Sequence, residues 1–435
     1  MGVSQPSIFR QGRIGSTLGR EATESRAMQH TTQRILTTHA GSLPRPDDML
    51  ALLRDKAQGR AVDEAEFEKV ATRATRAVVA QQLEHGIDII DDGEASKTSF
   101  VGYITERVGG LELVPGGSGR GSFSGSRDER MFPGYYAWEH RQQDLLRQAG
   151  GNPAVANLGG RWTCTAPITY IGQAQVQRDI ANLKAAMDGT TAVDAFLPAI
   201  SPSNAQFWLA NAYYPSEDEY QVAIADVLHE EYKAITDAGF LVQVDDPQLV
   251  TYYMRNPDAS IDECRRWAQR HVEVLNHALR GIPRDRVRFH TCYSINVAPR
   301  VSDMELKDII DIIFQINAGG FSFEFANPRH DHEWRLFEEF PLPDGAVLIP
   351  GVITQSNVLV EHPRLVADRI ERFASVVGPE RVLAGADCGF GTFAGMMEIH
   401  PEVAWAKLDA LVEGARLASA ELYGTASVGA AAGRT

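Results

Sequence analysis

Four side chains in the second half of the sequence have the chemistry of zinc ligands. His290 and Cys292 are separated by one residue, so both side chains point to the same side of an extended segment. Glu324 and Cys388 lie in two further segments. Zinc favours imidazole nitrogen and thiolate sulfur, accepts carboxylate oxygen, and takes four ligands in a tetrahedron. We therefore predict that these four residues bind zinc.

The other two cysteines provide a comparison. Cys164 lies in a predicted strand and Cys264 in a predicted helix, where cysteine is commonly a small buried hydrophobic residue. Four cysteines in 435 residues are too few for a disulfide framework. This favours a cytoplasmic location, in which reduced thiols are available as metal ligands.

The segments that carry the predicted ligands belong to an alternating pattern of short β-rich runs and longer helical runs. Strands that alternate with helices form a parallel sheet, and eight such units favour a (β/α)8 barrel of the TIM type, an α/β fold. No G-x-G-x-x-G follows the first strand, so a dinucleotide-binding fold has no support. We predict strands at 35–38, 87–91, 162–167, 241–245, 287–290, 320–325, 346–350 and 381–384, and helices at 64–86, 176–187, 217–239, 262–279, 305–318, 363–377 and 403–423.

The predicted domain organisation is a single catalytic barrel at 31–424. Residues 1–30 are rich in Ser, Gly, Arg and Gln without apolar periodicity, which predicts a disordered extension. A Gly-rich insertion at about 109–153 follows the second strand and is expected to lie over the C-terminal face of the barrel. A second long loop at 201–216 carries several aromatic residues. The small residues at 425–435 predict a frayed tail.

The active site of such a barrel lies at the C-terminal ends of its strands, and further polar residues collect there. Each of them alone could be a helix N-cap or a turn residue. Several carboxylates converging on one mouth repel each other unless a cation joins them, which a metal or a substrate amine would satisfy. These residues are His39 and Ser42 after the first strand, Asp91, Asp92 and Glu94 after the second, Asp245 and Asp246 after the fourth, and Asp387 after the eighth.

Composition excludes two classes of partner. The net charge of -15 argues against nucleic acid and against an anionic membrane surface, since both require a basic face. No window reaches the roughly 18 apolar residues that a membrane span needs. The expected partners are therefore small molecules, and the sequence leaves the oligomeric state open.

The ordered set of motifs over residues 34–420 resembles the cobalamin-independent methionine synthases, especially the catalytic-barrel proteins labelled methionine synthase II. The motifs are TTHAGSLPR at 37–45, DDGE at 91–94, QVDDP at 243–247, HTC at 290–292, FEFANPRH at 323–330 and AGADCGFG at 384–391. The resemblance implies zinc-dependent methyl transfer to the thiol of homocysteine, and it places the zinc ligands at the four residues chosen above.

The resemblance also implies how the thiol substrate is held. Its amine and carboxylate would contact Glu94, Asp245 and the turn formed by Gly41 and Ser42, with His39 beside them. Glu324 would release the zinc as the thiol arrives. Asp245, Glu94 and Glu324 are thus the expected catalytic residues.

Two departures from the family pattern concern the alkyl donor. The family's histidine in the loop after the seventh strand is replaced by Gln355, which cannot act as a general acid at neutral pH. The tryptophan on which a folate pterin stacks is missing, with Gln173 near its expected position. Thiol activation is expected to be retained, while use of methylfolate is left open.

Two alternative functions remain. The sequence also resembles the epoxyalkane:coenzyme M transferases, which combine the same zinc site with another thiol and another electrophile. The third hypothesis is a non-catalytic barrel that stores or senses zinc. Zinc ligands scattered over strands five, six and eight at a barrel mouth favour catalysis, because structural zinc sites use closely spaced ligands.

Overall fold

The computed structural model describes residues 33–115, 124–148, 160–293, 298–395 and 399–424. The extension predicted at 1–30 and the tail predicted at 425–435 lie outside these residues. In chain order the strands are β1 (Leu36–Thr37), β2 (Ile89–Asp91), β3 (Val108–Pro115), β4 (Gly160–Tyr170), β5 (Asp194–Ile200), β6 (Ala210–Asn211), β7 (Leu241–Asp245), β8 (Val287–Thr291), β9 (Gly320–Phe323), β10 (Val347–Ile353) and β11 (Leu383–Ala386).

Eight of these strands form one parallel sheet in the order β1-β11-β10-β9-β8-β7-β5-β2. The two end strands approach each other, since the backbone N–H of Asp88 donates to the carbonyl of Thr37 at 3.2 Å. The sheet is therefore nearly closed, and the predicted (β/α)8 barrel is confirmed. Its strands are buried along their whole length, as in β10 with the sequence VLIPGVI, because helices cover their outer face.

The helices that surround the barrel bury one apolar stripe each. In chain order they are α1 (Asp47–Ala57), α2 (Glu64–Glu84), α3 (Arg127–Met131), α4 (Pro133–Gln148), α5 (Gln173–Met187), α6 (Pro202–Trp208), α7 (Glu217–Asp237), α8 (Gln248–Arg255), α9 (Ile261–Ala278), α10 (Ile310–Ile313), α11 (Leu336–Glu339), α12 (Pro363–Val377) and α13 (Pro401–Tyr423). In α7, for example, Tyr220, Ile224, Leu228, Tyr232 and Ile235 are buried at helical spacing.

The third barrel strand is not the one predicted. The segment 162–167 lies in β4, which pairs antiparallel with β3 and parallel with β6 in a separate three-stranded sheet. The third strand of the barrel is β5 instead, which pairs with β2 and β7. Most residues of β4 are partly or fully exposed, whereas β5 is buried throughout. Pro198 weakens the strand pattern of β5 in the sequence.

The helix predicted at 305–318 is also largely wrong. This segment forms a single 3-10 turn at Leu306–Asp308 and the short helix α10. Its aliphatic residues, including Ile309, Ile310, Ile312 and Ile313, are buried on all sides. Burial within the barrel wall, rather than an amphipathic helix, explains this apolar run.

The described part of the predicted insertion is an ordered element that packs above the barrel. It comprises β3, α3 and α4. Helix α3 contacts the segment after β8, because the carboxylate of Asp128 accepts hydrogen bonds from the backbone N–H groups of Arg300 and Ser302 at 2.6 and 3.0 Å. In the described part of the chain, no helix is long and apolar enough to span a membrane.

Closure of the barrel depends on Asp88, which leads to a first prediction. Its carboxylate accepts from the backbone N–H of Thr37 at 2.9 Å and from Arg34 at 2.5 and 2.6 Å. Asp88→Ala leaves the Thr37 N–H without its acceptor and should lower the free energy of unfolding by about 2–3 kcal/mol in chemical denaturation. Asp258→Ala is the control, since that carboxylate is 84% exposed and pairs only with surface Arg130. Equal losses in the two variants would contradict this role.

Candidate metal centre

Three predicted zinc ligands come together at the C-terminal end of the barrel. His290 lies in β8, Cys292 follows that strand, and Cys388 follows β11. One donor atom from each residue lies within 4.8 Å of the other two, and all three side chains are buried. The Cys292 and Cys388 sulfurs are 3.7 Å apart. Neither cysteine forms a disulfide bond, so both thiols are available as ligands.

The His290 ring is oriented with one nitrogen toward this cluster. Its Nδ1 contacts the Ser322 hydroxyl of β9 at 3.0 Å. Its Nε2 is buried and has no hydrogen-bond partner. A buried imidazole nitrogen without a partner is unfavourable, and a metal ion satisfies it. Ser322 thereby fixes the orientation of the ring. In metal-binding histidines, a hydrogen-bond partner on the other ring nitrogen has the same role.

The donor set fits zinc in chemistry and spacing. Two thiolates at the usual zinc–sulfur distance in a tetrahedral site are about 3.8 Å apart, close to the observed separation of the two sulfurs. Contact with the Cys292 thiol and burial raise the pKa of the Cys388 thiol well above its usual value. Two buried thiolates therefore require a cation beside them.

Glu324, the fourth predicted ligand, lies beside the cluster but is held by other groups. Its Oε1 accepts from the Arg300 guanidinium at 2.9 Å and from the Asn327 amide at 3.0 Å. Its Oε2 accepts from the backbone N–H of Tyr293 at 2.7 Å. Three protein donors thus hold this carboxylate, while Oε2 keeps one lone pair. The group of three donor atoms that lie close together does not include Glu324, whose role as a ligand stays a prediction.

Two of the predicted substrate-binding carboxylates are buried next to this cluster. Glu94 is 2% exposed, and its Oε2 has no hydrogen-bond partner. Its backbone has a φ of 52°, a conformation that costs a non-glycine residue energy and is common at functional sites. Asp245 lies opposite His290 in the β7–β8 pairing, and burial raises its pKa to about 7. These carboxylates can accept an ammonium group.

The turn after β1 packs directly against Glu94. Gly41 has a φ of 127°, and a Cβ at this position would lie 3.1 Å from the Glu94 carboxylate. The turn is also in contact with the Cys388 segment, where a Cβ on Gly389 would lie 2.0 Å from the Ser42 hydroxyl. Both glycines are therefore required for the close approach of the three loops.

His39 is brought to the same place but is already hydrogen bonded. Its Nε2 contacts Gln82 Oε1 at 2.8 Å, and its Nδ1 accepts from the backbone N–H of Gly41 at 3.2 Å. Burial lowers its pKa to about 4, so the ring is neutral near pH 7. His39 consequently orients the Gly41 turn, and its contact with a substrate stays a prediction.

Two further residues around the site were not identified from the sequence. Arg288 is buried inside the barrel and donates to the carbonyl of His39 at 2.9 Å. Arg300 holds Glu324. Asp91, which the sequence did indicate, lies beside His39 at 3.6 Å. Arg288 could have been recognised from the sequence, because it is an arginine within the apolar strand VRFHT. The position of Arg300 in a loop gives no comparable signal.

Two glutamines, Gln355 and Gln173, occupy the positions that the sequence related to the alkyl donor. Gln355 is buried at the end of β10, and both polar atoms of its side chain are without a partner. Gln173 begins α5, where its amide donates to the Tyr170 carbonyl at 3.1 Å. Gln173 therefore lies on the helix before β5, and its place near the alkyl donor stays a prediction. The helix that follows β5, α6, ends with Phe207 and Trp208.

Comparison with known families agrees with this geometry. The family model described as "Cobalamin-independent synthase, Catalytic domain" matches residues 35–195 and 212–415. The chain belongs to this family. The resemblance derived from the sequence motifs is thereby confirmed.

Individual relatives of this cobalamin-independent synthase domain are distant but extend over most of its length. Methionine synthase of Thermococcus kodakarensis is 24% identical over 390 residues, 89% of this chain and 94% of that protein. Methionine synthase of Saccharolobus islandicus is 25% identical over 389 residues, again 89% of this chain and 95% of that protein.

Solved structures share the fold of this synthase domain. A B12-independent methionine synthase from a Shewanella species, solved with selenomethionine, has a TM-score of 0.64 at 20% identity and covers 89% of this chain and 99% of that one. A putative vitamin-B12 independent methionine synthase from Listeria monocytogenes has a TM-score of 0.59 at 19% identity, covering 88% and 98%.

The three-residue cluster predicts which cysteines this synthase domain needs to bind metal. Cys292→Ser and Cys388→Ser each remove a thiolate donor and should abolish zinc binding, measured as metal per chain by elemental analysis after dialysis. Cys264→Ala is the matched control, since Cys264 is buried in α9 and does not belong to the group of metal-donor residues. Full zinc content in either serine variant would contradict the ligand assignment.

Glu324 allows a sharper test of the number of protein ligands. Because Arg300, Asn327 and Tyr293 occupy its carboxylate, Glu324→Gln should retain one zinc per chain with an affinity within about tenfold of the original. The measurement is competition with a chromophoric chelator. Loss of zinc from Glu324→Gln would instead support the four-ligand site predicted from the sequence.

Proposed function

We propose that this protein is a zinc-dependent methyltransferase that transfers a methyl group to the thiol of homocysteine, as methionine synthases do. The observation that supports this most strongly is the convergence of three buried metal-donor atoms beside two buried carboxylates. A thiol substrate that also carries an amine would contact both groups at once. Family membership supports the same reaction class.

His290, Cys292 and Cys388 are the residues that would hold the zinc ion. When bound, zinc lowers the pKa of a thiol that joins it and keeps that thiol a nucleophilic thiolate at neutral pH. The protein contributes the shape of the site. Ser322 fixes the imidazole ring, and the closely packed β1 and β11 loops exclude water from the two sulfurs.

Asp245 and Glu94 would bind the ammonium group of homocysteine. The unpartnered Oε2 of Glu94 and the Oδ atoms of Asp245 are acceptors without enough protein donors, and Gln243 supplies only one hydrogen bond, to Asp245 at 2.9 Å. An ammonium group donates three hydrogen bonds and neutralises buried charge. The hydroxyl of Ser42, beside Cys388, would contact the substrate carboxylate.

Glu324 would be kept away from the substrate thiol by its salt bridge with Arg300. In this arrangement the fourth position around the metal-donor cluster is open to the substrate. The sequence suggested that Glu324 and the thiol alternate at that position. Arg300 would then provide the alternative partner that Glu324 needs when the thiol is bound.

The identity of the alkyl donor is less constrained than that of the thiol. The thiolate attacks the methyl carbon, the carbon–sulfur bond forms, and the departing atom of the donor keeps the electron pair and needs a proton if it is a folate nitrogen. Gln355 cannot supply this proton. This observation favours a second candidate, thiol addition to an epoxide or another activated alkyl group, as in the epoxyalkane:coenzyme M transferases.

A product assay by mass spectrometry tests these candidates. Zinc-loaded protein is given homocysteine with methyltetrahydrofolate, and in parallel coenzyme M with a small epoxide. We expect methionine from the first pair. Thioether from the epoxide alone would replace the proposal by the second candidate. Zinc coordination that no thiol perturbs, with no product from either pair, would favour the non-catalytic barrel.

The proposed ammonium site yields a prediction about thiol specificity. Asp245→Asn should weaken homocysteine binding by about tenfold or more, because a charged hydrogen bond in a buried site is lost. Binding of 3-mercaptopropionate, a thiol that lacks the amine, should change by less than about twofold. Calorimetry with the zinc-loaded protein measures both. Equal weakening of the two thiols would show that Asp245 does not contact an amine.

A further inference from the structure

A cavity lies outside the metal centre, between helices α6 and α8. Its volume is about 420 Å³. None of the proposed metal ligands and neither Glu94 nor Asp245 lines it. Its walls come from β4, α6, α8 and α9, and the residues that matter most are Arg161, Ser203, Phe207, Gln248, Arg255 and Trp267.

Arg255 places a largely buried positive charge in the wall of this cavity. Among the described residues, no carboxylate oxygen lies within 4.0 Å of its guanidinium nitrogens. The buried Arg107, by contrast, forms ion pairs with Asp179 and Glu231. A buried guanidinium without a counter-ion is unfavourable, and burial lowers the pKa of Arg255 to about 10.

The side chains around Arg255 leave donors unsatisfied. Its guanidinium packs over the Phe207 ring at 4.1 Å and donates to Gln248, while its Nε has no acceptor. Gln248 in turn donates to Asn204 at 2.9 Å, and the Asn204 Nδ2 is buried without a partner. The unsatisfied atoms of Arg255 and Asn204 are both N–H groups, which call for an acceptor.

A second arginine stands at the other side of the Phe207 segment. Arg161 is exposed, lines the cavity, and donates to the Phe207 carbonyl at 3.2 Å. The one carboxylate in the lining, Glu217, already accepts from Gln206 at 2.7 Å and from Asn211 at 3.3 Å. Two guanidinium groups therefore face a cavity whose only acidic residue is bound to amides.

We propose that this cavity binds an anionic group, the carboxylate or phosphate of a small molecule, at a site separate from the metal centre. Arginine suits this role because its planar fork donates two parallel hydrogen bonds to a carboxylate or phosphate. The bound anion supplies the counter-charge that Arg255 lacks. The cavity adjoins the substrate-binding strand, since Ser203 in its wall donates to Asp246, the neighbour of Asp245.

Calorimetric titration of the zinc-loaded full chain with inorganic phosphate and with succinate tests the proposal. We expect one saturable site per chain for at least one probe, and the better probe identifies the chemical source of the anion. Arg255→Gln should weaken that binding by at least about tenfold, as expected for a charge-assisted bidentate contact. Arg161→Gln should weaken it less, and Arg130→Gln, which changes a surface arginine elsewhere, should leave it unchanged.

The zinc-site variant Cys388→Ser separates the two sites and should bind the anion as the original protein does. Loss of binding in Cys388→Ser, unchanged binding in Arg255→Gln, or no saturable binding of either probe would overturn the proposal. If Arg255→Gln does not fold, as judged by circular dichroism, the exposed Arg161 variant carries the test. Because no thiol alkylation is measured, failure here would leave the proposed function standing.

Discussion

The concentration of acidic groups at one end of the barrel is the constraint on which the rest of the site depends. Two thiols, several carboxylates and an imidazole are buried where the strands end, and burial opposes the charged form of each acid. The protein meets part of this demand itself, with Arg288 beneath the mouth and Arg300 beside Glu324. Protonation of these acids, or cations from outside, can meet the rest. In the proposed function a metal ion and the ammonium group of the substrate would supply this positive charge.

The barrel satisfies this constraint through the register of neighbouring strands. The pairing of Asp245 with His290, and of His290 with Ser322, places the carboxylate proposed to bind an amine, the imidazole and the hydroxyl that orients it on three adjacent strands. Cys388 then reaches the cluster from β11, where Gly389 lets the loop pass close to Ser42. The site is thus assembled from residues on β7, β8, β9 and β11 that lie far apart along the chain.

Sequence patterns were sufficient to predict those site residues that have metal-binding side chains and lie at the end of a strand. The His-x-Cys pair and Cys388 follow strong apolar strands, so both the strands and the meeting of the three residues could be predicted. The third barrel strand could not, because Pro198 interrupts its pattern while β4 has a stronger strand signal for a different sheet. Contacts that depend on the path of a loop, such as the one between Arg300 and Glu324, leave no periodic signal at all.

The contact between the insertion and the metal centre shows how a peripheral element can act on the site. Arg300 has a φ of 53°, which a non-glycine residue adopts only when its surroundings hold it there. Asp128 of α3 provides this restraint by accepting hydrogen bonds from the backbone on both sides of Val301. Arg300 in turn pairs with Asp303 and Glu324. The position of Glu324 relative to the metal-donor cluster therefore depends on how the insertion is seated, so an element outside the barrel contributes to the geometry of its active end.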